Sequence, residues 1–132
     1  MFCVAADSRY NALVVTFEGI FDSVQAGMLV KDIQEKVRGL KKDFLVFTDM
    51  TDLERMDKDA VPNIEMLMQT CDTYGAATVV RIIPQPDKDI GFNIMSKFHY
   101  SPRVKIYTCR SRKEAHGLLR KICPLKPASE RP

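Results

Sequence analysis

The chain has 132 residues, 45% hydrophobic and 28% charged, a composition that fits one globular domain with a single core and excludes a disordered or membrane-embedded chain. Its net charge of +3 is unevenly divided: nine basic residues and two glutamates give residues 103–132 a charge of +7, which leaves −4 on residues 1–102. The apolar runs are too short to span a bilayer, and the opening MFCVAADSRYN lacks a basic start and a small-residue cleavage site, so the expected location is cytoplasmic, with no membrane insertion.

FCVAAD and ALVVTFEG are rich in strand-forming residues, and the intervening SRYN suits a turn, so the chain is expected to open with a hairpin. After Gly19, Asp22 or Ser23 can cap a first helix whose apolar stripe is read as Val24, Met28, Ile33, Val37 and Leu40. DFLVFTD is a short continuous apolar run, as a strand covered on both faces requires. The polar corner DMTDLERMDKDA then leads into a second helical stripe of Val61, Ile64, Leu67, Met68, Cys71 and Tyr74. Pro62 fits its first turn and Gly75 its end. AATVVRII is the next strand, closed by the prolines of PQPDKD, and Asp89 can cap a short third helix with Ile90, Ile94, Met95 and Phe98 on one side. SPRVKIYTC supplies the last strand, and Ser111 caps a last helix carrying Ala115, Leu118, Leu119 and Ile122. The reading is α/β: one central, mixed but mostly parallel sheet with an opening hairpin and about four helices. Residues 1–122 form the expected domain, and residues 123–132 have the composition of a flexible C-terminal tail.

The sequence holds no GxGxxG, GxxxxGK[ST], GxSxG or HExxH, so Gly-loop phosphate binding, nucleophile-elbow hydrolysis and zincin chemistry lack their signatures. Cys3, Cys71, Cys109 and Cys123 show no CxxC spacing and read as buried thiols of a reducing compartment. Met28, Met66, Met68 and Met95 read as core filling, and His99 and His116 as boundary side chains. The basic C-terminal helix reads as a solvated face, because no nucleic-acid recognition pattern accompanies it. Asp49, Asp52, Asp57 and Asp59 admit two readings. They could ligate Mg²⁺ at a strand end, or they could cap and charge the start of the second helix, where the macrodipole favours acids. The second is the expectation, with no metal and no cofactor.

The order of hairpin, FEGIFD, helix, FLVFTDMTDL, MDKDA, helix, Gly, strand, short helix, RVKIYTCRSRKEA and helix resembles the STAS domain, the fold of bacterial anti-sigma-factor antagonists, over about Tyr10 to Ile122. Gly19 matches the family's glycine after the second strand, and Asp49, Met50 and Thr51 match its Asp-aliphatic-Ser/Thr step. Ser111 through Ala115 matches the opening of its final helix. Where antagonists carry the serine that a partner kinase phosphorylates, this chain has Asp57-Lys58-Asp59-Ala60. The first aspartate is kept and the acceptor hydroxyl is gone, so the resemblance implies a partner-binding segment without the serine switch, with Asp59 a fixed charge nearby.

The expected function is therefore a non-enzymatic, cytoplasmic regulatory module that binds a protein partner through Met56, Asp57, Lys58, Asp59, Ala60 and Asn63. Its oligomeric state is left open between monomer and homodimer, and no nucleic-acid partner is expected. The alternatives are a small-ligand protein of the same fold, holding a lipid or nucleotide between sheet and helices, and an enzyme using Cys71 or Cys109.

Overall fold

A computed structural model describes residues 1–83 and 100–122. Strand β1 (Phe2–Asp7) and strand β2 (Ala12–Phe21) form the antiparallel hairpin. Its turn closes on Asn11 in the left-handed region at φ 53°, where asparagine is tolerated. The Asn11 amide also ties the hairpin to the later chain: Oδ1 accepts from the Lys41 amide at 2.8 Å, and Nδ2 donates to the Lys41 carbonyl at 3.0 Å. Helix α1 (Ser23–Lys36) starts at Asp22, whose carboxylate accepts the Gln25 N–H at 2.9 Å. Strand β3 (Leu45–Met56), a 3-10 turn (Lys58–Ala60) and helix α2 (Val61–Thr73) follow. Gly75 ends α2 at φ +101°, and an added Cβ there would lie 2.9 Å from Lys42 Cγ, so both conformation and space require glycine. Strand β4 (Thr78–Ile82), strand β5 (Lys105–Cys109) and helix α3 (Arg112–Ile122) complete the described chain.

The strands form a single sheet in the order β1-β2-β3-β4-β5, antiparallel between β1 and β2 and parallel thereafter. This is the expected α/β architecture, with three helices among the described residues. The helix expected from Asp89, with Met95 and His99, and the tail with Cys123 lie outside them.

The two faces of each strand separate two cores. Leu13, Val15, Phe17, Val46, Met50 and Val79 point to one side, where α1 and α2 cover them with Ala26, Leu29, Ile33, Ile64, Met68 and Cys71. Ala12, Leu45, Phe47, Val80, Ile82 and Cys109 point to the other, where α3 contributes Ala115 and parts of Leu118 and Leu119. A strand covered on both faces is apolar at most positions, as FLVF and Val79, Val80 and Ile82 are, and the buried Arg81 among them donates from Nε to the Thr108 hydroxyl at 2.9 Å.

Four expectations are corrected here. The buried stripe of α1 is Ala26, Leu29, Val30 and Ile33, continued by Val37 in the following 3-10 turn, while Val24 and Met28 are 70% and 58% exposed. Ala26, Leu29, Val30, Ile33 and Val37 recur at helical spacing, and burying that stripe leaves Val24 and Met28 on the opposite side. Met66 is exposed as well, so of these methionines Met68 fills the core and Met28 and Met66 do not. Cys3 is exposed, whereas Cys71 and Cys109 are buried. Finally, β2 and β3 do not stop near Glu18 and Asp49. They continue as a parallel pair to Phe21 and Met56, with register shifts beside Gly19, which holds φ +65° inside the strand rather than after it. Buried Phe21, Met50 and Leu53 extend the core along this pair, while its carboxylates point outward or toward α3.

Candidate functional site

The acid-rich corner divides between two places. Asp49 is buried within β3, on the face toward α3, and its carboxylate collects three donors. Oδ1 accepts from the Thr51 amide at 2.9 Å and from the Thr51 hydroxyl, and Oδ2 accepts from Arg112 Nε at 2.8 Å. The other arm of the same guanidinium donates to Asp52 Oδ2 at 2.9 Å. Burial pushes the Asp49 carboxyl up, but the Thr51 hydroxyl, the Arg112 guanidinium and the Thr51 amide together outweigh it and hold the group below the ordinary aspartate value of 3.8. The first turn of α3 is thus latched to β3 by one arginine and two aspartates. Asp49 was singled out from the sequence, but its partner was not, because Arg112 lies 63 residues away and reads locally as one more cation of a basic helix.

Asp57 and Asp59 belong to the second place, the 3-10 turn before α2. The expectation that they cap that helix is corrected: the cap residue of α2 is Ala60, with no side-chain cap bond, and the Asp57 carboxylate turns back to Arg55 Nε at 3.1 Å. The physical reason is the 3-10 turn itself, which satisfies the first amides through the chain, as where the Ala60 N–H meets the Asp57 carbonyl at 3.0 Å. Buried Ala60 anchors the turn, Lys58, Asp59 and Pro62 are exposed, and Met56, Asp57 and Asn63 are half-buried. The six residues expected to bind a partner therefore do lie on one short continuous segment at the end of β3. The neighbouring elements carry exposed apolar side chains. Ile20 pairs with Arg55 in the ladder, and α1, which packs on the 3-10 turn, leaves Val24 and Met28 bare one turn apart.

Neither described buried thiol is prepared to act as a nucleophile. Burial, with the Asp72 charge beside it, pushes Cys71 up to about 12, and burial raises Cys109 also, so both are held as thiols at neutral pH. Among the described residues no three cysteine, histidine or carboxylate groups converge as a metal site would need. An open apolar groove of about 490 Å³ lies beside α3, floored by Ala12, Val14, Leu45 and Phe47 and edged by Leu119 and Arg120. No described helix is long and apolar enough to cross a membrane.

No protein-family model matches the sequence, and no curated protein is similar enough to match. Solved structures do match. The unphosphorylated anti-sigma factor antagonist SpoIIAA aligns with a TM-score of 0.63 at 14% identity, covering 92% of this chain and 100% of that one. A DUF3478-family protein with a SpoIIAA-like fold from Shewanella loihica PV-4 aligns with a TM-score of 0.67 at 12% identity, covering 89% and 93%. The phosphorylated form of the Bacillus cell fate determinant SpoIIAA aligns with a TM-score of 0.59 at 16% identity, covering 91% and 100%. The fold of this chain is STAS-like.

Proposed function

We propose that this protein is a non-enzymatic, cytoplasmic regulatory module that docks a protein partner through Met56–Asn63. The observation that carries the reading is the placement of that segment. A long strand delivers it to the rim of the sheet, Ala60 fixes it to the core, and the exposed Ile20 pairs with Arg55 just before it. An apolar side chain exposed beside charges is a common feature of a docking surface. The likeness to SpoIIAA, an anti-sigma factor antagonist solved in phosphorylated and unphosphorylated forms, supports a signalling role by analogy of fold.

The switch differs from a serine switch, since residues 57–63 contain no hydroxyl. The nearest, Thr51, donates to Asp49, and a phosphate there would face that carboxylate at close range. Incubation with an anti-sigma-type kinase and ATP is expected to leave the chain unmodified from Asp57 to Val61, and mass spectrometry showing stoichiometric phosphate on Thr51 would place the switch elsewhere. Docking itself is tested by Asp59→Arg. The exposed substitution is expected to change stability by no more than about 0.5 kcal/mol, while partner capture falls sharply because like charges meet at the interface. Unchanged capture by the folded variant would refute the docking segment.

The groove beside α3 favours a second reading, a small apolar ligand held on the open sheet face, since about 490 Å³ is the size of a small-molecule site. Native mass spectrometry of purified protein separates the two: a stoichiometric small adduct lost on Phe47→Asp would support the ligand.

A further inference from the structure

We infer that the outer edge of β5, together with the flank of α3, is a docking groove for an extended acidic segment of another protein, taken up as an added strand. This surface is separate from Met56–Asn63 and does not depend on it. The Lys105 N–H donates to the Ala77 carbonyl at 3.0 Å, and the Ile83 N–H to the Cys109 carbonyl at 2.8 Å. In a parallel ladder alternate residues serve one neighbour, so Lys105, Tyr107 and Cys109 turn their main-chain groups to β4 while Ile106 and Thr108 turn theirs outward. Among the described residues no strand takes these groups up.

The opposite edge is built differently. Met1 and Glu18 exchange both backbone bonds, each 2.8 Å, which leaves Phe2, Val4 and Ala6 facing outward from β1. There the Lys36 ammonium reaches from α1 and closes the Val4 carbonyl at 2.7 Å. An ammonium seated on an outward-facing carbonyl of an edge strand obstructs strand addition at that point. The β5 edge carries no such obstacle among the described residues.

It carries a groove instead. A depression of about 670 Å³ follows β5 on the α3 side, lined by Tyr107, Cys109, Lys113, Gly117, Leu118 and Lys121. Lys113, Gly117 and Lys121 are successive turns of one helix flank, and a Cβ added at Gly117 would meet nothing within 4 Å, so the glycine keeps the middle of the wall open. Strand addition gains affinity from main-chain bonds and specificity from alternate side chains, and here those alternate side chains would pass between two lysines. Lys113, Lys121 and Lys105, which shares the face of Tyr107 by strand alternation, form no ion pair among the described residues. Among the described lining residues the one acid, Glu114, accepts the Arg110 N–H at 2.9 Å. Charge complementarity therefore selects carboxylates on the occupant.

The test uses the full chain labelled with ¹⁵N and two capped peptides, one alternating valine and glutamate and one alternating valine and lysine, each about eight residues so that about 3.3 Å per residue spans β5. The acidic peptide is expected to shift the Ile106 and Thr108 amides saturably and slow their hydrogen exchange, leaving Phe2, Val4 and Ala6 unmoved; the lysine peptide is expected to do neither. Gly117→Gln, which fills the groove with a better helix former, and Lys113→Glu with Lys121→Glu are each expected to weaken binding by about tenfold or more without lowering the melting point. The proposal is overturned by the absence of saturable shifts at Ile106 and Thr108, by shifts confined to Asp57–Asn63, or by full binding to Gly117→Gln. Broadening of β5 amides that grows with protein concentration and needs no peptide also overturns it, by assigning the edge to a second copy.

Discussion

Two helices lie over one face of the sheet and, among the described residues, one lies over the other. Under α1 and α2 sit nearly all of the largest fully buried side chains, with Phe17 and Phe21 edge to face at 4.9 Å. Under α3 a single helix residue, Ala115, is fully buried, while Leu118 and Leu119 are half-buried and part of the floor stays open as the groove beside Phe47. The first face concentrates apolar contact and so sets global stability. The second is thinly covered, and there a polar latch, Arg112 across Asp49 and Asp52, supplements what packing alone provides. Segments with few buried contacts open at the lowest free energy, so of the three described α-helices α3 is the one best able to change its position without unfolding the domain.

That contrast can be broken most forcefully by Phe17→Ala, which is expected to cost about 3–5 kcal/mol in denaturant melts because the rigid aromatic cluster around it collapses only partly into the space left. A cost below that of a surface substitution would mean that the doubly covered face is not the seat of stability.

Removing the latch by Asp49→Ala is expected to cost about 1–3 kcal/mol, since it strips acceptors from the Thr51 amide and hydroxyl and from Arg112, and hydrogen exchange should accelerate in α3 before α1. The pH dependence follows from the lowered Asp49 value. A carboxyl depressed in the folded state contributes fully above its unfolded value near 3.8 and loses that contribution as pH falls through the lower folded value. The stability gap between wild type and Asp49→Ala should thus be constant at neutral pH and close progressively below pH 3.8; a gap that widens on acidification would mean that the latch does not favour the carboxylate.

Leu119→Ala is expected to have the smallest effect of the three, about 1 kcal/mol, because the side chain is only half-buried and solvent can fill the site. A loss as large as that of Phe17→Ala would erase the difference between the faces.

Local chemistry was enough to read much of the architecture. Asn11 in the hairpin turn, Asp22 and Ser111 at helix starts, Pro62 in a first turn and Gly75 at a helix end each act within a few residues, and β5, Lys105–Cys109, lies within the expected SPRVKIYTC. The segment proposed to dock a partner could be singled out because its acids, its missing hydroxyl and its place before α2 are adjacent in the chain. What the sequence did not disclose depends on contacts across the fold. The pairing of β2 with β3 beyond Asp49 rests on inter-strand bonds that polar outward side chains do not oppose. The buried face of α1 was decided by packing on the sheet, which takes Ala26, Leu29, Val30 and Ile33 and leaves Val24 and Met28 outside. Arg112 meets Asp49 across 63 residues, and β5 and the lysine-capped β1 are edge strands among the described residues only because strand order puts them at the margins of the sheet. Hydrogen-bond and capping rules act at short range and are written in neighbouring residues; packing distance, strand order and long-range ion pairs are properties of the assembled sheet, and the tertiary structure alone decides them.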